Sequence, residues 1–251
     1  MDISKIIFNS VKYPFKNLAK LPIICILFIL IAIIPIGRLL DNNYVVLIGV
    51  IAFFIFILIV PGYFLNIVKV GTRESAMLPS LNLVNSIQDS IRVLILRMVY
   101  MIVPVAVFFI LLSTVGSESI KMLYNFQFHG FIATFGLVIL AILITYLIFE
   151  FLLFFAKARL AYLNSLPEAL KVHKVIADIN NIGLFNIFKW IVAMLVLMVV
   201  ISIVSSWIIA IPYVGLLIDI CVIIPIMESI ANYSLGMLYS NIDGNSHSLV
   251  R

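Results

Sequence analysis

The chain has 251 residues, of which 65% are hydrophobic and only 11% are charged, with a net charge of +5. Soluble globular chains average about 45–50% apolar and about 25% charged residues, so an ordinary soluble domain and a disordered chain are both excluded. The composition predicts an integral membrane protein. Because the basic residues lie between apolar runs, orientation in a membrane explains them and we expect no nucleic-acid partner.

Six apolar runs are each long enough to cross the hydrocarbon core of a bilayer, which takes about 20 helical residues. They are residues 21–40, 44–65, 93–113, 131–155, 190–211 and 214–239. None alternates apolar and polar residues as a membrane β-barrel strand does. The predicted fold is therefore all-α, a polytopic transmembrane bundle of six spans in three hairpins that forms a single membrane domain over residues 1–251.

Each predicted hairpin follows a segment in which apolar residues recur every three or four positions, the spacing of an amphipathic helix. The segments are 2–16, 81–92 and 165–181. Their predicted apolar stripes are Ile3, Ile7 and Val11; Val84, Ile87 and Ile91; and Ala169, Val172, Ile176 and Ile179. Ser165, followed three residues later by Glu168, predicts a capping box at the start of the third segment.

An amphipathic helix followed by a hairpin thus recurs three times, in pseudo-repeats at about 1–75, 80–160 and 165–245. Basic residues beside an apolar stripe suit a helix that lies on an anionic leaflet. The alternative is that these helices pack on the cytoplasmic ends of the bundle, and the two placements are compatible. Repeats occur in transporters, but duplication of hairpins produces them elsewhere, so the repeat alone does not indicate transport.

The basic residues predict the orientation of the chain. Fourteen of the sixteen Lys and Arg residues lie before the first span, between the second and third, between the fourth and fifth, or at the C-terminus. Only Arg38 and Lys121 lie on the other side. Under the positive-inside rule both termini are cytoplasmic, which agrees with an even number of spans. The expected location is the cell membrane.

Short motifs around the second hairpin resemble a known family. They are Pro61-Gly62-Tyr63-Phe64-Leu65, Leu78-Pro79, Asp89-Ser90-Ile91-Arg92, and Tyr100 with Pro104. In this order they resemble the domain-of-unknown-function family 4013, multi-pass membrane proteins of archaea and bacteria, and Tyr13-Pro14-Phe15 is also similar to that family. The resemblance implies a membrane architecture. The family has no assigned activity, so the resemblance implies no site residues.

A search for catalytic patterns in the sequence is negative. There is no His-Glu-x-x-His, Gly-x-Ser-x-Gly or Walker motif. Cys25 and Cys221 both lie in apolar runs, where a cysteine behaves as a small hydrophobic residue. The three histidines are far apart and share no metal-ligand spacing. We therefore expect a protein that is not an enzyme and that has no catalytic residues, cofactor or metal.

Polar side chains inside the predicted spans are the remaining candidates for a site. They are Tyr146, Glu150, Asp219, Glu228 and Asn232. A carboxylate within the bilayer is costly and usually faces the protein interior, so we expect Glu150 and Glu228 to point into the bundle. The cluster could form a path for protons, cations or a substrate. The favoured hypothesis is a hydrogen-bond network that holds the hairpins in register, with Arg97 as a boundary residue whose charge reaches the interface.

Two classes of function follow from these observations. The leading hypothesis is a non-enzymatic membrane scaffold, assembly partner or lipid-organising protein, whose partners are membrane lipids and an unidentified membrane protein. The alternative is a small-solute or ion transporter that uses Glu150 and Glu228. A transporter should have a water-accessible cavity that reaches these carboxylates, whereas a scaffold should have a filled core and a surface for a partner.

Overall fold

The computed structural model describes residues 1–124, 128–212 and 214–242, with side chains described except at position 114 and positions 116–134. The described chain is helical and contains no strand. The helices are α1 (Ile3–Lys16), α2 (Leu21–Leu39), α3 (Asn43–Thr72), α4 (Leu83–Tyr124), α5 (Phe128–Leu163), α6 (Leu166–Ala169), α7 (Val172–Ile182), α8 (Leu184–Ile209), α9 (Val214–Ile218) and α10 (Ile224–Ser240). One π-helical turn, Asp219–Ile223, joins α9 to α10.

The predicted bundle of six membrane spans is confirmed. Within the described residues, six segments are long and apolar enough to cross a membrane. They are Leu21–Leu39, Asn43–Thr72, Leu83–Ser113, Phe135–Leu163, Leu184–Ile209 and Val214–Ser240. The side chain of Lys121, which the basic residues predict on the opposite side of the membrane, lies outside the described side chains, and the C-terminal Arg251 lies outside the described residues.

Helix α1 lies across one end of the bundle. We name it the basic end, because α1, α6, α7 and the basic segments between spans lie there. The buried face of α1 is Ile6, Ser10 and Tyr13, and the Tyr13 ring stacks on Tyr233 of α10 with centroids 3.9 Å apart. The predicted stripe Ile3, Ile7 and Val11 is only half-buried, because the helix is rotated by about one residue relative to the expected contact.

The second amphipathic segment is not a separate helix, because its residues form the first turns of α4 and continue directly into the third span. The polar residues Ser86, Asp89 and Ser90 are buried, whereas the stripe Val84, Ile87 and Ile91 is 64%, 36% and 46% exposed. Of the two placements that the sequence left open, packing of this stripe on the base of the bundle is therefore excluded. Its apolar face points away from the protein.

A glycine explains this reversed orientation. A Cβ atom added to Gly62 of α3 would lie 1.9 Å from the Ser86 carbonyl oxygen, so only glycine allows α3 and α4 to come this close. The Gly62 N–H donates to the Ser90 hydroxyl at 2.7 Å. The small polar side chains of α4 therefore face α3, and the apolar stripe is left on the outside.

The third amphipathic segment is divided into α6 and α7. Ser165 precedes α6, but its side chain makes no capping hydrogen bond, so the predicted capping box is wrong. The Glu168 side chain is instead held by Lys171 and Lys174. The buried face of α7 consists of Val175, Asp178, Ile179 and Ile182, whereas Val172 and Ile176 of the predicted stripe are exposed.

The core is concentrated at the basic end. Its largest fully buried side chains include Tyr63, Tyr100, Phe155, Leu160 and Tyr239. Helices α3 and α10 cross there without intervening side chains, because a Cβ at Gly236 would lie 2.3 Å from the Val68 carbonyl oxygen. Towards the opposite end, most of the described side chains in residues 105–113 of α4 and 135–148 of α5 are exposed.

Candidate functional site

Two of the predicted polar residues meet in a chain across α5 and α10. The Lys157 ammonium donates to the Asn232 side-chain oxygen at 2.6 Å. The Asn232 amide in turn donates to a Glu228 carboxylate oxygen at 3.1 Å and to the Glu228 carbonyl at 2.7 Å. Asn232 is buried, Lys157 is half-buried and Glu228 is exposed at the edge of the bundle. The sequence did not predict Lys157 as a member of this chain, because its partner Asn232 lies on a different helix.

Glu150 lies in a second group, between α4 and α5. It accepts a hydrogen bond from the Tyr146 hydroxyl at 2.8 Å and an ion-pair hydrogen bond from Arg97 at 3.0 Å. The side chains of Arg97 and Glu150 are 59% and 30% exposed. Arg97 is thus a partner of Glu150 and more than a boundary residue. In the sequence, this pair could have been predicted from two opposite charges at similar depths in adjacent predicted spans.

Asp219 lies apart from both groups. It is buried in the π-helical turn, where it accepts a hydrogen bond from the Ser205 hydroxyl of α8. The neighbouring Ser206 donates to its own helix at the Ile203 carbonyl. The five candidate residues therefore occupy three separate places in the fold and do not form one cluster.

A buried network at the basic end was not predicted. The Asp178 carboxylate of α7 accepts hydrogen bonds from the Arg159 guanidinium of α5 and from the Tyr239 hydroxyl of α10. Arg159 also donates to the Glu168 carbonyl at 3.0 Å. The sequence assigned Asp178 to the polar face of its helix, because helical spacing does not show that Arg159 and Tyr239 approach from other helices.

Glu168 completes this end of the molecule on the solvent side. The hydrogen bonds from Lys171 and then from Lys174 lower the pKa of its carboxyl group to about 2. The carboxylate is therefore charged at all ordinary pH values and balances basic side chains that gather next to α6.

A polar cavity of about 570 Å³ opens between the C-terminal end of α3, the segment that follows it, and the first turns of α4. Lys69, Arg73 and Arg92 bring three positive charges to its wall, against one negative charge from Asp89. The amides of Asn85 and Gln88 also line it. From the sequence, the basic residues were used only to predict the orientation of the chain, although they lie close in sequence to one polar helix start.

A second cavity of about 570 Å³ is apolar and lies between α4 and α5. Met101, Val105 and Phe108 line it from one side and Leu143 from the other, with Arg97 at one end. Among the described residues, no group of three or more His, Cys, Asp or Glu side chains could hold a metal ion. The polar groups described above form ion pairs and hydrogen bonds, several of which join different helices.

Comparison with known proteins identifies the family. A family model described as protein of unknown function, DUF4013, matches residues 45–214, more than half of the chain. The chain belongs to the DUF4013 family. The matched part of this DUF4013 protein includes the polar cavity, Glu150 and Asp178, whereas α1, Glu228 and Asn232 lie outside it. No curated protein and no solved structure matches the chain. The six apolar helices and the family together identify a multi-pass membrane protein.

Proposed function

We propose that this DUF4013 protein is a non-enzymatic protein of the cell membrane that organises anionic lipids, with both of its termini in the cytoplasm. The observation that carries the proposal is the outer face of α1. One face of this helix packs into the bundle, and the other presents lysine and phenylalanine side chains together. An amphipathic helix of that kind binds an anionic bilayer surface by charge and by burial of its aromatic rings.

The outer face of α1 is a stripe with helical spacing. Phe8 and Phe15 are 58% and 54% exposed, and Lys5, Lys12 and Lys16 are exposed beside them. The Lys12 ammonium lies 3.8 Å from the centroid of the Phe8 ring. Rings that enter the headgroup region, with ammonium groups beside them at the level of the phosphates, give this face charge complementarity to anionic lipid.

The corner after α1 holds the helix in place. Asn17 donates to the Ala76 carbonyl at 2.7 Å and accepts from the Leu78 N–H at 3.0 Å, while Lys20 donates to the Leu78 carbonyl at 2.9 Å. These bonds tie the beginning of the first span to the segment that follows α3. The lysine stripe is therefore held in a fixed position. Because the helix is already ordered, lipid binding does not require a large loss of conformational entropy.

Lipid selectivity tests the proposal. The full chain is reconstituted in phosphatidylcholine vesicles with phosphatidylglycerol, and the fraction of each spin-labelled lipid restricted by the protein is measured. We expect a preference for phosphatidylglycerol that falls when Lys5, Lys12 and Lys16 are all replaced by Gln and persists when they are replaced by Arg. The preference should also weaken at high salt, because screening acts on exposed charges. An unchanged preference in the Gln variant would contradict the proposal.

Orientation is tested separately. In a chain whose Cys25 and Cys221 are replaced by Ala, single cysteines are introduced as Arg38→Cys and Lys171→Cys. Because fourteen basic residues lie on the side of Lys171, we expect an impermeant thiol reagent to label position 38 in intact cells and position 171 only after lysis. Labelling of intact cells at 171 alone would reverse the proposed topology.

Transport is a second candidate, and one observation favours it. The chain from Lys157 through Asn232 to Glu228 lies within two membrane spans, where polar groups often mark ion or proton paths. Vesicles that contain a trapped pH indicator and an imposed membrane potential would report a proton flux. A flux that disappears in the Glu228→Gln variant would favour transport, whereas rates equal to those of empty vesicles favour the lipid-organising role.

A further inference from the structure

The polar cavity between α3 and α4 has a fixed arrangement of charge. Asp89, whose side chain is only 7% exposed, accepts from Lys69 at 2.6 Å and from Arg92 at 3.2 Å. Arg92 also donates to Asn164 at 3.2 Å. The buried carboxylate therefore holds two cations at the cavity wall, where it neutralises only one of them.

Arg73 adds an unpaired charge to the same cavity. Its side chain is exposed and forms no ion pair with any acidic residue of the described chain, and the adjacent Glu74 accepts from Ser240 on α10. Three cations against one carboxylate leave an excess charge of two. The amides of Asn85 and Gln88 supply additional hydrogen-bond donors along the wall.

We infer that this cavity binds a phosphate monoester, through Arg73, Arg92 and Lys69. A guanidinium offers paired N–H donors that match phosphate oxygens, and a phosphate monoester carries about −1.5 to −2 charge near neutral pH, which balances the excess. A phosphodiester carries a single negative charge and leaves the site under-neutralised. The volume of about 570 Å³ lies in the usual range for small-ligand sites.

The same chemistry has two sources, a soluble phosphate ester and a phospholipid with a terminal phosphate. The structure favours the lipid, because the helix that lines the cavity carries Val84, Ile87 and Ile91 on its outer face, where they are exposed as bilayer-facing residues would be. The lipid source deepens the proposed function and rests on it, since it names the lipid class that such a protein would select.

The test compares phosphatidic acid with phosphatidylglycerol, using the full chain purified in detergent. Lipid that remains bound is measured by native mass spectrometry for the wild type, for Arg73→Gln and for Arg38→Gln, which removes an exposed arginine at the other end of the bundle. Loss of one charge-assisted contact should lower affinity for phosphatidic acid about tenfold or more in Arg73→Gln and leave it unchanged in Arg38→Gln. Arg73→Lys, which keeps the charge but loses the paired donors, should lie between them.

A soluble probe separates the two sources. If glycerol 3-phosphate raises the unfolding temperature of the wild type but not of Arg73→Gln, and phosphatidic acid shows no preference, the site takes a soluble ester and the phosphate inference stands. Equal binding of phosphatidic acid and phosphatidylglycerol, unaffected by Arg73→Gln and with no effect of glycerol 3-phosphate, overturns it. That result leaves the proposed function intact if the α1 lysines still determine the preference for phosphatidylglycerol. If only the α1 result fails, the proposed function is lost and the cavity remains a phosphate site.

Discussion

The basic end and the outer half of the α4–α5 hairpin both contain parts of apolar membrane spans but pack in opposite ways. At the basic end, Tyr63, Tyr100 and Phe155 are almost completely buried. In the outer half, Phe109 and Leu147 are 61% and 56% exposed. In a bilayer, apolar side chains gain little by leaving lipid for protein, so hydrophobicity alone does not bring helices together. What distinguishes the packed end is its small residues and its paired polar side chains.

The buried ion pairs follow this division. Asp89, Asp178 and Arg159 all lie at the basic end, each with a partner from another helix or with an ion pair across α3 and α4. Among the described side chains of the outer half, an ion pair occurs at the boundary, between Arg97 and Glu150. Helix association in this protein therefore depends on close backbone approach and on ion pairs, and the following variants test that dependence.

The largest effect is expected at the centre of the buried network. Asp178→Leu removes the buried carboxylate that pairs with the Arg159 guanidinium and leaves it only the longer contact with the Glu168 carboxylate at 3.5 Å. Loss of one partner of a buried ion pair typically costs about 3–5 kcal/mol. The variant should lose most of its folded yield in mild detergent, as measured by size-exclusion chromatography. The control Glu168→Gln alters a half-buried carboxylate in the same region and should retain most of the yield. Equal yields for both would show that the network does not hold α7.

A pair of glycines compares the two regions directly. Gly62→Ala places a methyl group against the Ser86 backbone at the packed end, whereas Gly136→Ala on α5 meets no atom within 4 Å. The first should lower the free energy of unfolding by about 1–3 kcal/mol, since α3 and α4 must separate. The second should be neutral or stabilising by up to about 1 kcal/mol, because alanine favours helix more than glycine does. Unfolding in mixed micelles, followed by circular dichroism, measures both, and equal losses would contradict the comparison.

The polar chain through Asn232 should have a smaller effect. Glu228→Gln keeps an oxygen that can accept from the Asn232 amide and should preserve stability. Glu228→Leu removes it, and a side-chain pair four residues apart on one helix contributes about 0.2–0.5 kcal/mol. The same unfolding assay applies, with Glu150→Gln as a companion variant at the boundary of the open region. A Gln variant as unstable as the Leu variant would indicate that the charge, and not the hydrogen bond, is required.

The smallest effect is a dependence on pH. The pKa of Glu168 is lowered to about 2 in the folded protein, below the value of about 4.3 for an unperturbed glutamate. Its stabilising contribution is therefore complete above pH of about 4.3 and is lost as the pH falls towards 2. Solvent screens this half-exposed group, so the change should be slight. Unfolding curves from pH 6 to pH 2 should show a difference between wild type and Glu168→Gln that shrinks with acid, and a constant difference would exclude this role.

The sequence by itself determined the membrane class, the six spans, the amphipathic segments before the hairpins and the contact between Glu228 and Asn232. All of these are local properties. The number of spans follows from the length of apolar runs, and the contact follows from a spacing of four residues on one helix. The resemblance in the motifs around Pro61 and Leu78 likewise led to the family that the comparison identified.

Only the tertiary structure decided which face of each helix is covered. The sequence placed Val84, Ile87 and Ile91 in contact with the bilayer or the bundle, but Gly62 brings α3 so close to Ser86 that the polar face turns inward. The partners of Asp178, and the Arg97 partner of Glu150, come from other helices, and helical periodicity does not show which residues of different helices meet. In a chain with 65% hydrophobic residues, burial of apolar surface does not select one helix face over another, because lipid covers either face equally well. Close backbone contacts and paired charges make that selection, and both depend on neighbours in space.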